Sequence, residues 1–539
     1  MVITMETMST RRHNFAITIL NIWNNNRQAF LSTMIAGMII HFSIYGYGLM
    51  NPDAVWLGEK YIADWEVTLG RWGLKFFDYL HGGVNAPVII TMIALFWFSV
   101  GGILINEIFE VNSRAVRVIV PLIIIANPLV SVTITYYYCA DAYAAGFCLA
   151  VVAVWLLTLK NRTKTATALA VLCVTCSLSI YQSSLGVTAG LGIMYGIFLI
   201  FQNPQNTKKN INYIGRLLII GFFGTVLYYA VLQVVLNIRG LSMMSYKGAD
   251  KIGIGYIIAS MAKSILHTYI DFYAYFLKNS IMVNSYLVVF CYIALWILFV
   301  IACVMVLTDL RIKFSNLLIA IAYIAILPVA CNVIDVMAPD TRIILLTSGG
   351  LAILPPAMLT ICSMKITFVS NADSSRSKRN RIVYILSGAI SLLLIANFIL
   401  VVNTDGLVMK EETDKTLALA NRICTTLEQK DDIRAGYSLM IAGSASKGNY
   451  PVVSTLSNSA NKYAKSGLTW STPDGSLNCW RQVFRRYLGI TENWCTETQF
   501  REIIASEEFK NMPSYPENGA IREIGDIVVV KVSPVEELS

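Results

Sequence analysis

Charged residues are scarce in this chain. Only 14% of its 539 residues are charged and 56% are hydrophobic, whereas soluble globular proteins carry about 25% charged residues. A water-exposed surface over the whole length is therefore excluded. The apolar residues fall in blocks of about 20, which a helix needs to cross a hydrocarbon layer of roughly 30 Å. The sequence thus predicts a polytopic α-helical membrane protein.

The usual signatures of metal and nucleotide chemistry are also lacking. The four histidines are scattered, and there is no HExxH pair, Walker-type glycine loop or Rossmann GxGxxG. The sequence therefore suggests neither a zinc hydrolase nor a nucleotide-driven pump. We expect no cofactor and no metal; a divalent ion held by carboxylates is an alternative that no residue pattern supports.

Eleven apolar stretches are long enough to be membrane spans. They lie at about residues 28–50, 87–109, 118–138, 142–159, 166–182, 184–202, 217–238, 285–308, 315–334, 343–363 and 382–402. The polar segment from Met1 to Arg27 precedes the first of them, and no small-residue cleavage site follows, so we expect no cleavable signal peptide. The sequence predicts a transmembrane domain over residues 1–402 and a separate tail over residues 403–539.

The distribution of charge predicts the orientation of these spans. With the N-terminus in the cytoplasm, 18 of the 27 basic residues before residue 403 fall in inner segments, as the positive-inside rule requires. Ten of the 15 acidic residues of this part fall in outer segments. The net charge of +9 therefore marks topology and does not indicate a nucleic-acid partner. Membrane insertion does not require carboxylates on the outer side, so we expect the active site to lie there. An odd number of spans also places the tail on the outer side.

The first long outer loop, residues 51–86, interleaves aromatic and charged side chains. Its aromatic residues, from Trp56 to Phe77, recur at helical spacing, which predicts a helix lying in the membrane interface. A plain surface anchor is the alternative, but it would not explain the carboxylates.

Asp53 follows the first span in Asn51-Pro52-Asp53, where the proline stops the preceding helix. Its carboxylate could be a general base for a bound hydroxyl. Alternatively, it only caps the next helix.

Further outer turns carry polar groups at the same level. The second long loop, residues 239–284, holds four lysines that could bind a lipid-linked phosphate or could simply reach lipid headgroups. Three shorter turns contain Tyr138 with Asp141, Tyr181 with Gln182, and Asp340 with Arg342. Ionisable groups close to membrane depth are functional candidates, so we expect these turns to converge on one cavity.

Two arginines on the outer side are suited to phosphate. Arg71 and Arg342 could each form a bidentate clamp. The alternative is a Glu66–Arg71 or an Asp340–Arg342 ion pair that only ties loops together.

The tail, residues 403–539, has the pattern of an α/β unit large enough for its own core. Helices are predicted at 411–430, 477–488 and 497–510, and strands at 438–443 and 527–532. Cys479 and Cys495 could form a disulfide outside the cytoplasm. Because no catalytic constellation is visible, we interpret the tail as an extracytoplasmic lid or acceptor-binding domain.

The order of these motifs resembles the glucosyl transferase II family, polytopic enzymes that decorate bacterial surface polysaccharides such as O-antigen. The resemblance also extends to GT-C membrane glycosyltransferases. It rests on the acidic loop ending in Gly70-Arg71-Trp72, on Ala126-Asn127-Pro128 with the following Tyr-rich turn and Asp141, on Tyr181-Gln182, and on Met512-Pro513-Ser514-Tyr515-Pro516. Members commonly show two adjacent acids and a Gly-Arg-Pro in the first loop, whereas this chain has Pro52-Asp53 and Gly70-Arg71-Trp72.

The resemblance implies an enzyme of the bacterial cytoplasmic membrane that works at its outer face. The expected donor is a polyprenyl-phosphate hexose, with glucose as the expected sugar, and the acceptor is a hydroxyl of a surface glycan. The lipid bilayer, a flippase and a polyprenyl-phosphate sugar synthase are the expected partners. A transporter or flippase of lipid-linked sugar or glycan is the main rival, and a non-catalytic scaffold is a third hypothesis.

Each candidate residue is assigned a role in this transfer reaction. Asp53 is the first choice of catalytic base, with Glu66, Asp64 and Asp141 as alternatives. Phosphate would be bound by Arg71, Lys75 and Arg342. Substrate would be bound by Trp72, Tyr138, Tyr181, Gln182 and Asp340.

Overall fold

The structure is a computed structural model and is mostly helical. It describes residues 2–58, 64–159, 163–244, 254–278, 285–309, 312–338, 343–364, 374–429, 437–450, 454–456, 468–470, 472–491 and 493–535. The predicted site residues Asp340 and Arg342 and two lysines of the second loop, Lys247 and Lys251, lie outside the described residues.

Nineteen α-helices precede the first strand in the described part of the chain. They are α1 Val2–Ile40, α2 Phe42–Tyr45, α3 Pro52–Leu57, α4 Asp64–Thr68, α5 Leu74–His81, α6 Pro87–Ile108, α7 Arg114–Ala126, α8 Pro128–Ile134, α9 Ala140–Thr158, α10 Thr163–Ile180, α11 Ser184–Gln202, α12 Thr207–Arg239, α13 Ile254–Tyr273, α14 Tyr286–Asp309, α15 Phe314–Cys331, α16 Val333–Met337, α17 Gly349–Ala352, α18 Leu354–Cys362 and α19 Ser374–Glu428. A π-helical turn, Ala274–Lys278, extends α13, and a 3-10 turn, Leu345–Thr347, precedes α17.

Eight of the described helices are long and apolar enough to cross a membrane, and nine spans result if α7 and α8 count as one. These two helices meet at a bend of 49°, because Asn127 precedes a proline, adopts an extended conformation and caps α8. The nine coincide with nine of the predicted stretches. Stretch 28–50 instead falls on the end of α1 and on α2, and stretch 343–363 on the short helices α17 and α18. The helices are compatible with a membrane protein, but the count of eleven is not confirmed.

Helices α9 and α11 form the centre of the bundle. In each, 89% of the apolar window is buried, against 22% in the peripheral α12. Small residues permit close approach of the central helices: a Cβ on Gly186 or Gly350 would lie 2.3 Å from the carbonyl oxygen of Cys331. Interfaces of this kind are typical of helices that pack within a lipid bilayer.

The first outer loop differs from its prediction. It forms three short helices, α3, α4 and α5, so the single interfacial helix is wrong over the described residues. Gly58 and Gly70 adopt φ angles of 74° and 85°, which interrupt any helix. As a result the aromatic residues do not share one face: Trp65 is 48% exposed, whereas Trp72 packs against the core.

The tail contains a four-stranded sheet. Its strands are β1 Ser438–Ala442, β2 Asn493–Trp494, β3 Ile521–Ile524 and β4 Ile527–Lys531, in the order β2-β1-β4-β3. Strand β1 is parallel to β2 and β4, and β3 is antiparallel to β4. Helices α20 Pro473–Val483, α21 Glu497–Ala505 and α22 Glu507–Lys510 flank it. Helix α19 continues through residue 402 without a break, so the domain boundary at that position stays a prediction.

The two faces of the sheet pack into different clusters. Leu439 and Ile441 of β1 belong to the large core that continues into the helical bundle, whereas Met440 belongs to a separate cluster. Cys479 lies in the first cluster and Cys495 in the second, and both are free thiols. The sequence left open whether these two cysteines pair, and in this structure they do not, because they lie in clusters on different faces of the sheet.

Candidate functional site

Several of the turns that the sequence predicts on the outer side meet at one end of the helical bundle. The backbone N–H of Asn51 donates to the carbonyl of Thr135 (3.0 Å), and that of Gly73 donates to the carbonyl of Ser179 (2.8 Å). The amide of Gln182 donates to the carbonyl of Leu69 (2.8 Å). These bonds bring together the first outer loop, the Tyr-rich turn and the Tyr181-Gln182 turn, which the sequence expected to converge.

Arg71 is the central cation of this cluster. Its Nη1 donates to Oε2 of Glu66 (2.7 Å) and to the hydroxyl of Tyr143 (3.2 Å), and its guanidinium lies 5.0 Å from the ring centroid of Tyr181. Tyr143 and Tyr181 stack with ring centroids 4.4 Å apart. The Glu66–Arg71 ion pair that the sequence left as an alternative is thus present.

The environment of Arg71 keeps it charged. Burial lowers its pKa, but the neighbouring Tyr143 and Glu66 raise it more, so the pKa lies well above its ordinary value. The Glu66 side chain is only 6% exposed and that of Arg71 19%. A largely buried guanidinium with a rigid fork of N–H groups is suited to a phosphate group.

A tight turn fixes the position of Arg71. The backbone N–H of Arg71 donates to the carbonyl of Glu66 (2.8 Å), and the hydroxyl of Tyr228 donates to the carbonyl of Gly70 (3.0 Å). Gln182 also donates to the Tyr228 hydroxyl (3.1 Å). The amide of Gln182, a predicted substrate ligand, is therefore engaged in holding the turn.

Asp53 lies in the first turn of α3 and is half-buried. Its backbone N–H donates to Oδ1 of Asn51 (3.0 Å), so the residue that caps α3 is Asn51 and not Asp53. The Asp53 carboxylate instead accepts a hydrogen bond at Oδ1 from the indole Nε1 of Trp470 (3.1 Å). The capping alternative for Asp53 therefore does not explain its position.

Two tyrosines of the Tyr-rich turn connect Asp53 with the arginine cluster. Burial raises the pKa of Tyr136 well above its ordinary value, and nearby Asp53 adds to this effect. Burial likewise raises the pKa of Tyr138, with further contributions that include Glu66. Both side chains are neutral phenols, so each can donate its O–H to a sugar or phosphate oxygen.

Asp64 and Lys75 belong to a second charged group beside the first. Asp64 Oδ1 lies 2.6 Å from Nη1 of Arg239 and 3.5 Å from Nζ of Lys75, and Lys75 lies 3.9 Å from Oδ2 of Asp78. The Asp64 side chain is 53% exposed. These contacts show a surface ion network, and any phosphate reaching Lys75 would compete with two carboxylates.

Asp141 faces this second group. It lies two residues before Tyr143 on α9, a rotation of roughly 200° around the helix. Tyr143 therefore points to Arg71, while Asp141, only 3% exposed, interacts electrostatically with His81 of α5. Among the described residues, Oδ1 of Asp141 and both ring nitrogens of His81 are buried without a hydrogen-bond partner.

Three residues of the site escaped the sequence prediction. Tyr136 and Tyr143 flank the predicted Tyr138 and Asp141, and the density of tyrosines in this stretch was a usable signal. Trp470 is 417 residues from Asp53, and nothing in the sequence pairs them. Within the described residues, no group of three or more His, Cys, Asp or Glu side chains is arranged to hold a metal ion.

Two cavities occur at different ends of the bundle. One of about 30 Å³ borders Tyr143, Tyr181 and Ser183 at the candidate site. The other, about 730 Å³, lies beside Glu110, Gln202 and Arg381, at the end that carries the predicted cytoplasmic segments. Of these two cavities, the candidate site borders the smaller one.

Comparison with known proteins adds one finding. A family model described as Glucosyl transferase GtrII matches residues 60–348, more than half of the chain. The match includes Glu66, Arg71 and Tyr181, but neither Asp53 nor Trp470. Comparison with curated proteins and with solved structures gives no significant match.

Proposed function

Because the chain belongs to the GtrII glucosyl transferase family and is therefore a glycosyltransferase, we propose that it transfers glucose from a polyprenyl-phosphate donor to a surface glycan. Family membership implies glucosyl transfer to a glycan, and it favours an enzyme over the rival transporter or flippase. The lipid donor, the outer membrane face and the GT-C type of architecture are parts of the proposal.

The observation that carries the proposal is the arginine cluster. Arg71 is a permanent cation, held by Glu66 and Tyr143 at the end of the bundle where the outer turns meet. A phosphate on a membrane-embedded lipid would present its negative charge at this level. The position of Arg71 supports its proposed role in phosphate recognition. Lys75 is proposed as a second cation, although Asp64 and Asp78 would compete with a phosphate there.

The reaction needs a base as well as a cation. The acceptor oxygen bonds to the anomeric carbon, the bond from that carbon to the phosphate oxygen breaks, and polyprenyl phosphate leaves with the electron pair. Asp53 takes the proton of the acceptor hydroxyl. A single displacement inverts the anomeric configuration, whereas a carboxylate nucleophile retains it, so the anomer of the product distinguishes the two routes.

The cellular setting follows from the same chemistry. A donor displayed on the outer leaflet requires a synthase that makes it and a flippase that turns it over. We place the enzyme in the bacterial cytoplasmic membrane, with its active site and tail outside. Trp72, Tyr138, Tyr181 and Asp340 are proposed to contact sugar, and Arg342 to contact phosphate.

Asp53→Asn in purified, correctly inserted protein tests the base. We expect transfer from polyprenyl-phosphate glucose to fall by about 100- to 10,000-fold, the usual contribution of a general base. Asp526→Asn, an exposed carboxylate in the turn between β3 and β4, is the matched control and keeps wild-type activity. An unchanged rate for Asp53→Asn would remove Asp53 as the base and leave Glu66, Asp64 and Asp141 to be tested in turn.

A further inference from the structure

Trp470 of the tail contacts the candidate site directly. Trp470 precedes α20, and its indole Nε1 donates to Oδ1 of Asp53 at 3.1 Å. Tryptophan is a hydrogen-bond donor only, so the bond favours the ionised carboxylate. This contact joins the proposed base to a residue that lies outside the segment matched by the family model.

Further contacts hold the tail on both sides of Asp53. Cys479 Sγ donates to the carbonyl of Pro52 (3.5 Å), and Nη1 of Arg486 donates to Sδ of Met50 (3.4 Å). The amide of Gln482 packs so closely on Gly58 that a Cβ there would lie 3.0 Å from it. Helix α20 and the π-helical turn after it therefore cover the segment from Met50 to Gly58.

We propose that the catalytic site is composite and that Trp470 is the positioning residue for Asp53. This inference rests on the proposed function, because it assumes that Asp53 is the base. The indole N–H fixes the orientation of the carboxylate and stabilises its anionic form, which a base must have. The site is complete only while the tail is docked on α3.

Trp470→Phe tests the inference in the full-length protein, because phenylalanine keeps an aromatic ring and removes the N–H donor. We expect kcat to fall roughly 10- to 100-fold, the range for losing a hydrogen bond to a charged group. The KM for the lipid donor stays unchanged. The acidic limb of the rate profile moves to higher pH, because the carboxylate loses a bond that favours its charged form.

Trp494→Phe is the matched control, since Trp494 is a partly buried tryptophan of the same unit that packs on Phe484. It keeps the wild-type pH profile. A wild-type rate for Trp470→Phe overturns the inference, and so does a reduced rate with an unshifted acidic limb, which would indicate a purely structural role. A wild-type rate for Asp53→Asn overturns the proposed base itself, whatever Trp470→Phe does, so the two failures are distinguishable.

Discussion

Gly70→Ala is the sharpest test of how the turn before Arg71 positions the guanidinium. Gly70 has a φ of 85°, and a Cβ at this residue would lie 2.3 Å from the hydroxyl of Tyr228 and 2.9 Å from Nε2 of Gln182. The substitution therefore forces a strained backbone and pushes away two groups that hold the turn. Tyr228 would lose its bond to the Gly70 carbonyl, and Gln182 its bond to Leu69.

Gly70→Ala should destabilise the folded state through backbone strain and through lost hydrogen bonds. A side chain in the left-handed region costs roughly 1–2 kcal/mol, and each displaced hydrogen bond costs about 0.5–1.5 kcal/mol. We expect a loss of about 2–5 kcal/mol in the free energy of unfolding. Transfer activity should fall by about 100-fold at temperatures where the variant is folded, because a small displacement of a binding group has an effect of this size.

Thermal melting of the detergent-solubilised protein and the transfer rate measure the two effects. Gly215→Ala is the control: Gly215 lies in α12, its added Cβ meets nothing within 4 Å, and alanine favours a helix. Tyr228→Phe in the Gly70→Ala background removes the clashing oxygen, so the double variant should be less destabilised than the sum of the single ones. A Gly70→Ala protein that melts and transfers like the wild type would refute the reasoning.

Two further predictions concern charged residues of the same end of the bundle. Arg71→Lys keeps the charge but loses the planar fork and its contact with Tyr181, so the turnover of the donor should fall by about 10-fold or more. Arg114→Lys, at an exposed position, is the control and leaves turnover unchanged. Equal turnover in both variants would contradict a phosphate role for Arg71. Burial raises the pKa of Asp78 above its ordinary value despite the nearby Lys75. The folded state therefore disfavours the charged carboxylate, and the protein loses stability as the pH rises past the usual range of carboxyl groups. Asp78→Asn should therefore raise the melting temperature at pH 7 and have no such effect below about pH 4, and a lower melting temperature at pH 7 would show that pairing with Lys75 dominates.

The long helices were predictable because hydrophobic length is a property of the local sequence. The first outer loop was not, because the helical spacing of its aromatic residues is real but Gly58 and Gly70 take φ angles that no helix continues through. Hydrophobic periodicity does not register this local backbone effect. The predicted helix therefore became three, and the aromatic residues were divided between the core and the exposed surface.

The candidate site shows the same division between local and long-range information. The proximity of Arg71 to Glu66 and Tyr181 could be anticipated, because the sequence places their turns at the same level. The different directions of Asp141 and Tyr143 depend on where α9 begins. The bond between Trp470 and Asp53 depends on tertiary packing of the tail, which neither composition nor spacing encodes.

Helix α19 is longer than a helix needs to be to cross a lipid bilayer. At 1.5 Å per residue its 55 residues extend about 80 Å, whereas the hydrocarbon layer is roughly 30 Å thick. The helix is therefore a continuous rod that passes from the bundle to the sheet of the tail. Because the Thr426 hydroxyl of α19 shares a hydrogen bond with that of Tyr515 in the tail (3.1 Å), this one helix is both the covalent and the packed connection between the apolar bundle and the sheet.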